Sequence, residues 1–554
     1  MADPEFVDWC LSSGVQLNGI VAAYVEEGWR GIVATRGLAP DEVVLRVPER
    51  LLMTTRSARR DPQLAAALQR CGGGATDGGL TPFQLLAVHL LHEVSRGSSS
   101  AWHPYLRQLP RSCTSLPNFS QQQAEALQLP HGVEAAQAAA AKAREDWMAA
   151  EPVLQELGLP KRLTGLRAWL WAASTLASRT MYLPWCPAGA LTPYGDLHNY
   201  QPPPPPFTPC LESPDAGAPT SGVDQPGAIG ADGGGGGGGT GASGAQGVQV
   251  PGQSSKQGDP GSVEVATPEL AELQLSGSTP PSDGRPAADA EGCSSIAGDG
   301  SWDEQGQAYC IFARRRYRAG EQVMLCYGRH TNLELLEHYG FVLDDNPHDA
   351  APLDVDFLPL PPSARALPGP PPPAPAEAFL HPSGHPSWAL LAWLRRCAAT
   401  PAERRTLGHA LAAGERISEE GDRQVLRWLS AACLAQLARL PTTLRDDMQA
   451  LRALEGQESR KQGTEAGPQG QAAAAAEQAA AMAAAAELSD GLTCEGLALR
   501  WRVQQKRALA NCVRLADRVL GPEAAAPAPR AAAAAAAATA RGPAQRPPPR
   551  RPAA

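Results

Sequence analysis

Three separate segments of the chain combine charged, amide or tyrosine side chains with turn residues, a combination that core packing does not require. One spans residues 27–34, one joins Arg179 to the motif Gly195-Asp-Leu-His-Asn-Tyr200, and one runs from 320–328 on to 337–342. Arginine and asparagine side chains donate hydrogen bonds, and tyrosine presents an apolar ring that carries a hydroxyl. Each segment alone is weak evidence, and together they are candidates for a functional site.

Other arrangements that often carry chemistry are incomplete in this sequence. His89 and His92 share one face of a predicted helix, but no third metal ligand is evident beside them. The glycine run at 233–239 lacks the Gly-Lys-Ser/Thr that completes a phosphate-binding loop. The twelve cysteines are scattered without a CxxC pair, which is typical of reduced intracellular thiols. The sequence therefore predicts neither a resident metal nor a phosphate loop.

The elements that must position the candidate segments follow from apolar periodicity and turn residues. Runs at 31–34 and 42–47 predict two strands, and the turn at 38–41 between them predicts a hairpin. From Thr81-Pro82 onward the apolar spacing becomes helical, with Thr81 as the cap. Further strands are predicted at 308–313 and 322–325, and helices at 133–157, 163–178, 332–339, 387–397, 401–412, 419–439 and 489–520. The predicted fold class is α+β, with an all-α C-terminal domain.

One block of the chain is predicted not to fold. Residues 201–300 hold 12 acidic and two basic residues, 37 of the chain's glycines and prolines, and a single aromatic residue, Phe207. So little apolar surface cannot offset the entropy lost on ordering, so we expect a disordered loop. The net charge of −9 comes from this block, since the rest of the chain is close to neutral. The overall acidity therefore says nothing about a nucleic-acid partner.

The N-terminus and the hydropathy of the chain bear on its compartment. The first residues, Met1-Ala-Asp-Pro-Glu-Phe-Val-Asp8, are acidic and lack the apolar run of a secretory signal. Uninterrupted apolar runs nowhere reach the roughly 18 residues that a membrane span needs. We therefore expect an intracellular protein, with the cytoplasm or nucleus favoured and the chloroplast left open.

The three candidate segments, in this order, resemble those of SET-domain protein-lysine methyltransferases. The resemblance is closest to the branch typified by Rubisco large-subunit methyltransferase, and within it to a plant subgroup. The motif Trp102-His-Pro-Tyr-Leu-Arg-Gln-Leu-Pro110 falls where that branch has a helical insert, and Thr331-Asn-Leu-Glu-Leu-Leu-Glu-His-Tyr-Gly-Phe341 supports the same match. The resemblance is strong over about residues 6–200 and 301–350, and it is weaker over the helical C-terminal region.

The resemblance implies an architecture. The expected fold is a SET β-fold with a helical insert at about 81–180 and a long disordered loop, followed by an all-α C-terminal domain. The predicted divisions are 5–200 for the first part of the SET domain, 201–300 for the disordered acidic insertion, 301–357 for the second part, 358–378 for a Pro-rich linker, 379–522 for a helical substrate-binding-like domain, and 523–554 for a disordered Ala/Pro/Arg tail.

The resemblance also implies an activity, the transfer of methyl groups from S-adenosylmethionine to lysines of a protein. No Cys-rich, zinc-bearing segment follows Tyr339, so the helical region would choose the substrate, which favours a non-histone protein. Two alternatives stay open: a non-catalytic SET-fold scaffold and a histone-lysine methyltransferase. The expected partner is a protein presenting a lysine to a monomeric enzyme, with no metal, membrane or nucleic acid involved.

Residue by residue, the resemblance implies one catalytic position and seven that bind the cofactor. Tyr327 matches the tyrosine that borders the methyl group and the lysine nitrogen. The cofactor-binding positions are Arg30, Gly31, Arg179, Asp196, Asn199, Tyr200 and Tyr339. Without the resemblance, Arg179 would be interpreted as a helix C-terminal residue and Tyr339 as core. Tyr200 stands where most SET domains have His, which keeps the scaffold alternative open.

Overall fold

The computed structural model describes residues 3–26, 29–71, 78–204, 299–367, 369–463 and 493–521, all within one of the two compact units of the chain. The disordered insertion predicted at 201–300 lies outside these residues apart from its two ends. The tail predicted at 523–554 lies wholly outside them, as do Glu27 and Gly28 of the first candidate segment.

Short antiparallel strands form the framework of the N-terminal half. The strands are β1 Gln16–Leu17, β2 Ile20–Glu26, β3 Trp29–Ala34, β4 Glu42–Pro48, β5 Thr180–Leu183, β6 Cys186–Leu191, β7 Asp299–Asp303, β8 Ala308–Ala313, β9 Gln322–Val323, β10 Ala351–Pro352 and β11 Phe379–Leu380. They form a four-stranded sheet in the order β1-β4-β8-β7, a three-stranded sheet in the order β2-β3-β9, and the pairs β5-β6 and β10-β11. Ile32, Leu45 and Ile311 belong to one buried apolar cluster, which joins the two larger sheets.

The predicted hairpin between residues 31–34 and 42–47 is wrong. Strand β3 pairs with β2 and β9, whereas β4 pairs with β1 and β8, so the two strands lie in different sheets. The turn between them is instead bonded to a distant segment, because Leu38 and Tyr317 exchange backbone hydrogen bonds of 3.0 and 3.2 Å. Val44, Leu45 and Val47 are fully buried against β8 and the helices, and this long-range burial outweighs the local turn signal.

Helices cover the strands and build the insert. They are α1 Pro4–Ser12, α2 Thr55–Arg60, α3 Pro62–Cys71, α4 Pro82–Arg96, α5 His103–Leu106, α6 Gln121–Glu125, α7 Pro130–Glu156, α8 Lys161–Thr164 and α9 Leu166–Arg179. The predicted start of α4 is confirmed, since Thr81 and Gln84 form a reciprocal capping box there. The helices predicted at 133–157 and 163–178 are confirmed as α7 and α9.

The C-terminal region is helical and departs from the prediction in several places, including the helix Leu444–Gly463, which is absent from the predicted helices. Its helices are α10 Asn332–Glu334, a π-helical turn Leu335–Tyr339, α11 Pro362–Arg365, α12 Trp388–Ala398, α13 Pro401–Thr406, α14 Gly408–Ala412, α15 Glu419–Ala438, α16 Leu444–Gly463 and α17 Cys494–Leu520. The helix predicted at 401–412 is divided at Leu407, and β11 adds a strand that pairs with β10. Among the described residues, no helix combines the length and the hydropathy that a bilayer-spanning segment needs.

Helix α17 packs on the insert as well as on the other C-terminal helices. Its Trp501 is buried in a cluster with Leu116 and Leu129 of the insert and Leu336 of the π-helical turn. Gly132 lies so close to Trp501 that a Cβ atom there would come within 2.5 Å of the indole ring. The insert and the C-terminal helices therefore share one apolar interface.

A buried polar network lies beside this apolar interface. The Lys506 side chain is fully buried, and its Nζ donates to Gln128 Oε1 at 2.9 Å, to the Thr442 carbonyl at 2.7 Å and to Asp447 Oδ2 at 2.6 Å. A buried ammonium is tolerated when it is paired and fully hydrogen-bonded, as it is here. The network therefore ties the α6–α7 connection to α16 and α17.

Candidate active site

Two distant segments of the chain meet beside the β2-β3 hairpin. The Asn199 side-chain Nδ2 donates to the Arg30 carbonyl at 3.1 Å. The backbone N–H of Leu325 donates to the Asn199 carbonyl, and that of Gln201 donates to the Leu325 carbonyl, both at 2.9 Å. Gly31 leaves room for this approach, because a Cβ there would lie 2.9 Å from Asn199 Nδ2 and 2.5 Å from Gln322 Nε2. The three candidate segments predicted from the sequence therefore come together.

Tyr327 lies at the centre of a stack of three tyrosine rings. Tyr200 stacks on one side and Tyr339 on the other, each with its ring centroid 5.1 Å from that of Tyr327. The Tyr327 hydroxyl donates to the His198 carbonyl. Burial raises the pKa of the Tyr327 phenol, and that of Tyr339 to about 12. These hydroxyls therefore stay protonated near neutral pH.

The π-helical turn places Tyr339 in the stack. Thr331 and Glu334 form a capping box at the start of α10, and the widened turn Leu335–Tyr339 follows directly. The turn ends at Gly340, whose φ of 75° suits glycine and whose carbonyl accepts from Thr114 Oγ1 at 2.7 Å. The turn therefore presents the Tyr339 ring to Tyr327.

Arg179, the last residue of α9, contacts the turn at Asp196. Its Nη1 donates to the Asp196 carbonyl at 3.1 Å and to Asp196 Oδ2 at 3.2 Å, and the Tyr105 hydroxyl donates to the same Oδ2 at 3.0 Å. Burial raises the pKa of Asp196, and the charge of Arg179 opposes that shift. Arg179 Nε and Asp196 Oδ1 are buried without a hydrogen-bond partner in the described structure. This pair therefore keeps one donor and one acceptor for a further polar group.

Arg30 is held by a residue that the sequence analysis did not single out. Its two terminal nitrogens donate to the Gln108 side-chain oxygen at 3.2 Å and to the Gln108 carbonyl at 3.0 Å. Burial and the nearby charge of Arg179 both lower the pKa of Arg30. Gln108 and Tyr105 lie in the motif at 102–110, which was noticed as a family signature without a role for either residue. That motif supplies polar contacts to two of the candidate site residues.

The eight predicted site residues form one continuous cluster. Contacts run from Gly31 through Asn199 to the Arg30 backbone, and the Arg30 side chain lies near Arg179. Burial raises the pKa of Tyr327 and the charge of Arg179 opposes that rise, so Arg179 also lies near the tyrosine stack. The roles of these residues toward cofactor and substrate remain predictions.

His92 and Glu93 of α4 form a group of potential metal ligands with Asp61, which lies between α2 and α3. Asp61, His92 and Glu93 offer ligand atoms within 4.8 Å of one another. Arg96 Nη1 donates to Asp61 Oδ2 and to Glu93 Oε1, both at 2.9 Å. The guanidinium therefore already supplies positive charge to both carboxylates of this group.

The chain resembles known proteins in both sequence and fold. Residues 333–509 match the family described as Rubisco LSMT substrate-binding. Protein SET DOMAIN GROUP 40 of Arabidopsis thaliana is 30% identical over 525 residues, which is 92% of this chain and 90% of that protein. The actin-histidine N-methyltransferase of Xenopus tropicalis is 32% identical over 126 residues, which is 23% of this chain and 20% of that protein.

The predicted fold class is confirmed by a solved structure. The match to the crystal structure of the SET domain of LSMT bound to lysine and AdoHcy covers 94% of this chain and 92% of the chain in that structure, with a TM-score of 0.50 and 17% sequence identity. The resemblance predicted from the motifs is confirmed by the near full-length match to SET DOMAIN GROUP 40. The chain therefore belongs to the family of SET-domain proteins that includes SET DOMAIN GROUP 40 and carries the Rubisco LSMT substrate-binding region.

Proposed function

We propose that the protein is an S-adenosylmethionine-dependent protein-lysine N-methyltransferase that acts on a non-histone protein. The observation that carries this proposal is the meeting of Tyr327 with the segment 198–200 next to Arg30 and Gly31. This arrangement puts a protonated phenol, an amide-bearing turn and a buried arginine within one cluster.

The residues present fit S-adenosylmethionine. Arg30 and Arg179 offer guanidinium groups suited to a carboxylate, and Asp196 Oδ1 is a buried acceptor without a partner in the described structure. The lack of a side chain at Gly31 lets the amide groups of Asn199 and Gln322 approach the backbone of β3. When bound, the cofactor supplies a methyl group on a positively charged sulfur. Arg30, Arg179, Asp196 and Asn199 are the residues that would hold it.

Tyr327 is placed to orient the reacting amine. Its hydroxyl proton is donated to the His198 carbonyl, so the lone pairs of the phenol oxygen remain free for a donor or a positive charge. A lysine amine must be neutral to attack, and an apolar wall of tyrosine rings favours the neutral form by desolvation. Positioning and fixed oxygen dipoles are the contributions that methyl transfer asks of a protein.

The C-terminal helices support the choice of a protein substrate other than a histone. The region 333–509 matches the family described as Rubisco LSMT substrate-binding, and the actin-histidine N-methyltransferases are relatives over a shorter stretch. Both names point to enzymes with non-histone targets. The second candidate, a non-catalytic scaffold, is favoured only by Tyr200 in place of the usual His.

Incubating the purified full-length protein with radiolabelled S-adenosylmethionine and cell extract tests the proposal. We expect labelled protein bands that disappear with Tyr327→Phe and Asn199→Ala, and mass spectrometry should place the methyl group on a lysine of a non-histone protein. Cofactor binding without any label would support the scaffold. A methylated histone or a methylated histidine would overturn the stated substrate class.

We also propose that the protein works as a monomer in the cytoplasm or nucleus, without a metal or nucleic acid. The twelve cysteines are scattered along the sequence without a CxxC pair, which supports a reducing compartment. Light scattering at several concentrations and imaging of a fluorescent fusion test the two statements. A dimer mass or a chloroplast signal would contradict them.

A further inference from the structure

The backbone on both sides of Tyr200 is fixed to the segment that leads into Tyr327. The carbonyl of Asn199 accepts from the Leu325 N–H, and the N–H of Gln201 donates to the Leu325 carbonyl. Tyr200 and Leu325 thus form an isolated parallel bridge two residues before Tyr327. This bridge brings the Tyr200 side chain alongside Tyr327.

The side chain of Tyr200 is engaged with Tyr327 and the residue after it. Its ring stacks on Tyr327 at an interplanar angle of 29°, and its hydroxyl donates to the Gly328 carbonyl at 2.8 Å. Only 9% of the residue is exposed. Gly328 has a φ of 123°, a conformation that side-chain-bearing residues rarely adopt, so glycine suits the position that presents the accepting carbonyl.

Tyr327 is consequently held on both faces and at its hydroxyl. Tyr339 stacks on the face opposite Tyr200, at an interplanar angle of 20°, and the His198 carbonyl accepts the hydroxyl proton. An imidazole at position 200 is shorter than a phenol, so it would not reach the Gly328 carbonyl from the same stacked position. A misplacement of about 1 Å at a reacting centre can cost on the order of 100-fold in rate.

We propose that Tyr200 is a positioning residue for methyl transfer, which holds the Tyr327 ring in place and does not bind the cofactor through its own side chain. The inference rests on the proposed function. It departs from the cofactor-binding role that the family resemblance implies for this position. Tyr200 occupies the position that is His in most SET domains, and it acts there through its contacts with Tyr327 and Gly328.

The first test compares Tyr200→Phe and Tyr200→His in the full-length protein. The Phe variant keeps the stack and loses the hydrogen bond, so label transfer from S-adenosylmethionine to extract proteins should fall about 10-fold. The His variant loses the hydrogen bond and presents a smaller ring to Tyr327, so label transfer should fall about 100-fold. For both, the apparent KM for S-adenosylmethionine and the Kd for S-adenosylhomocysteine should stay within about twofold of the wild type, as expected when orientation alone is lost. Tyr182→Phe is the matched control, because that residue is 74% exposed.

The second test does not depend on activity. With 3-fluorotyrosine at position 327, ¹⁹F NMR should show one sharp resonance in the wild type and in Tyr200→Phe, and a shifted, broadened one in Tyr200→Ala. A wild-type protein that transfers no label would contradict the proposed function alone, since the resonance still reports on the ring. A Kd that weakens in step with the rate, or a Tyr200→Ala resonance identical to the wild type, would overturn the inference.

Discussion

The phenol oxygen of Tyr327 lies 2.5 Å from the carbonyl oxygen of His198, although the two residues are 129 positions apart in the chain. The acceptor is held firmly, because His198 is buried and its Nδ1 lies 2.8 Å from the Gly195 carbonyl. Burial lowers the pKa of the His198 imidazole to about 4, so the ring stays neutral at physiological pH. The direction of the Tyr327 hydroxyl is therefore imposed by backbone that belongs to the other half of the site.

Replacing Tyr327 by Phe should abolish most of the activity and leave the fold intact. The variant keeps the ring stack and loses the oriented oxygen, so we expect label transfer to fall by about 100-fold or more. The lost hydrogen bond should cost only about 1 kcal/mol of stability. Label incorporation and thermal unfolding measure the two effects, with Tyr182→Phe as the control. A rate within about threefold of the wild type would remove Tyr327 from the mechanism.

The Asn199 amide should contribute to cofactor affinity because it donates a hydrogen bond to the Arg30 carbonyl. Asn199→Ala removes the donor to the Arg30 carbonyl, which should loosen β3 at the proposed cofactor site and weaken the Kd for S-adenosylhomocysteine about 10-fold. Asn18→Ala is a matched control, because Asn18 Nδ2 makes the same kind of bond, to the Val43 carbonyl at 2.9 Å. Calorimetric titration compares the two variants. Equal loss of affinity in both would contradict the assignment.

The buried carboxyl of Asp349 should make stability fall as the pH rises. It accepts from the Asn332 N–H at 2.9 Å and from Gln505 Nε2 at 3.3 Å, and burial raises its pKa to about 6. Because this pKa lies above the value of about 4 in an unfolded chain, the folded state binds the proton more tightly between about pH 4 and pH 6. Stability from this group is thus present at low pH and is lost, on the order of 2 kcal/mol, as the pH rises through that interval.

Urea denaturation across this pH interval measures the effect. Asp349→Asn carries no titrating carboxyl and should show a flatter dependence of its unfolding midpoint on pH than the wild type. Asp344→Asn, whose carboxylate is 63% exposed, should keep the wild-type slope. The same slope in Asp349→Asn and the wild type would contradict the prediction.

Substitution of Gly132 should destabilise the interface between the insert and α17. A Val side chain there would overlap the fully buried Trp501 ring, and overpacking of this kind costs about 1–3 kcal/mol. Gly408→Val places the same side chain at a helix start where no atom lies within 4 Å of the new Cβ. Midpoints of chemical unfolding should separate the two variants. A Gly132→Val protein as stable as Gly408→Val would show that Trp501 moves aside freely.

Local sequence signals predict helices and strands better than they predict which strands pair with each other. The cap at Thr81 and the strand at 308–313 depend on residues close by, and both are confirmed. The partner of strand β4 is β8, which lies on the far side of the long insertion, and no turn residue near 38–41 carries that information. The π-helical turn at Leu335–Tyr339 falls within a segment predicted as one ordinary helix, because the i→i+5 hydrogen bonds of such a turn depend on tertiary packing.

The site itself was predicted as a set of residues through family resemblance, and the structure brings that set together. The resemblance predicts which residues form the site, but not the contacts that hold those residues in place. Tyr105 and Gln108 hold Asp196 and Arg30, yet neither was singled out, although both lie in a motif that had been noticed. The family-like motif at 102–110, with a phenol and an amide among its residues, was the available signal that those side chains reach the site.

The interface between α17 and the insert also sets an order of events during biosynthesis. Arg502 of α17 donates to the Ala126 carbonyl of the insert, and the two residues are 376 positions apart. At a translation rate of about 5–20 residues per second, Arg502 is therefore synthesised roughly 20–75 s after Ala126. Until then Leu116, Leu129 and Leu336 lack the indole of Trp501 as a neighbour. Chains that end before α17 leave the ribosome with this apolar surface bare, which makes them targets for chaperones and proteases.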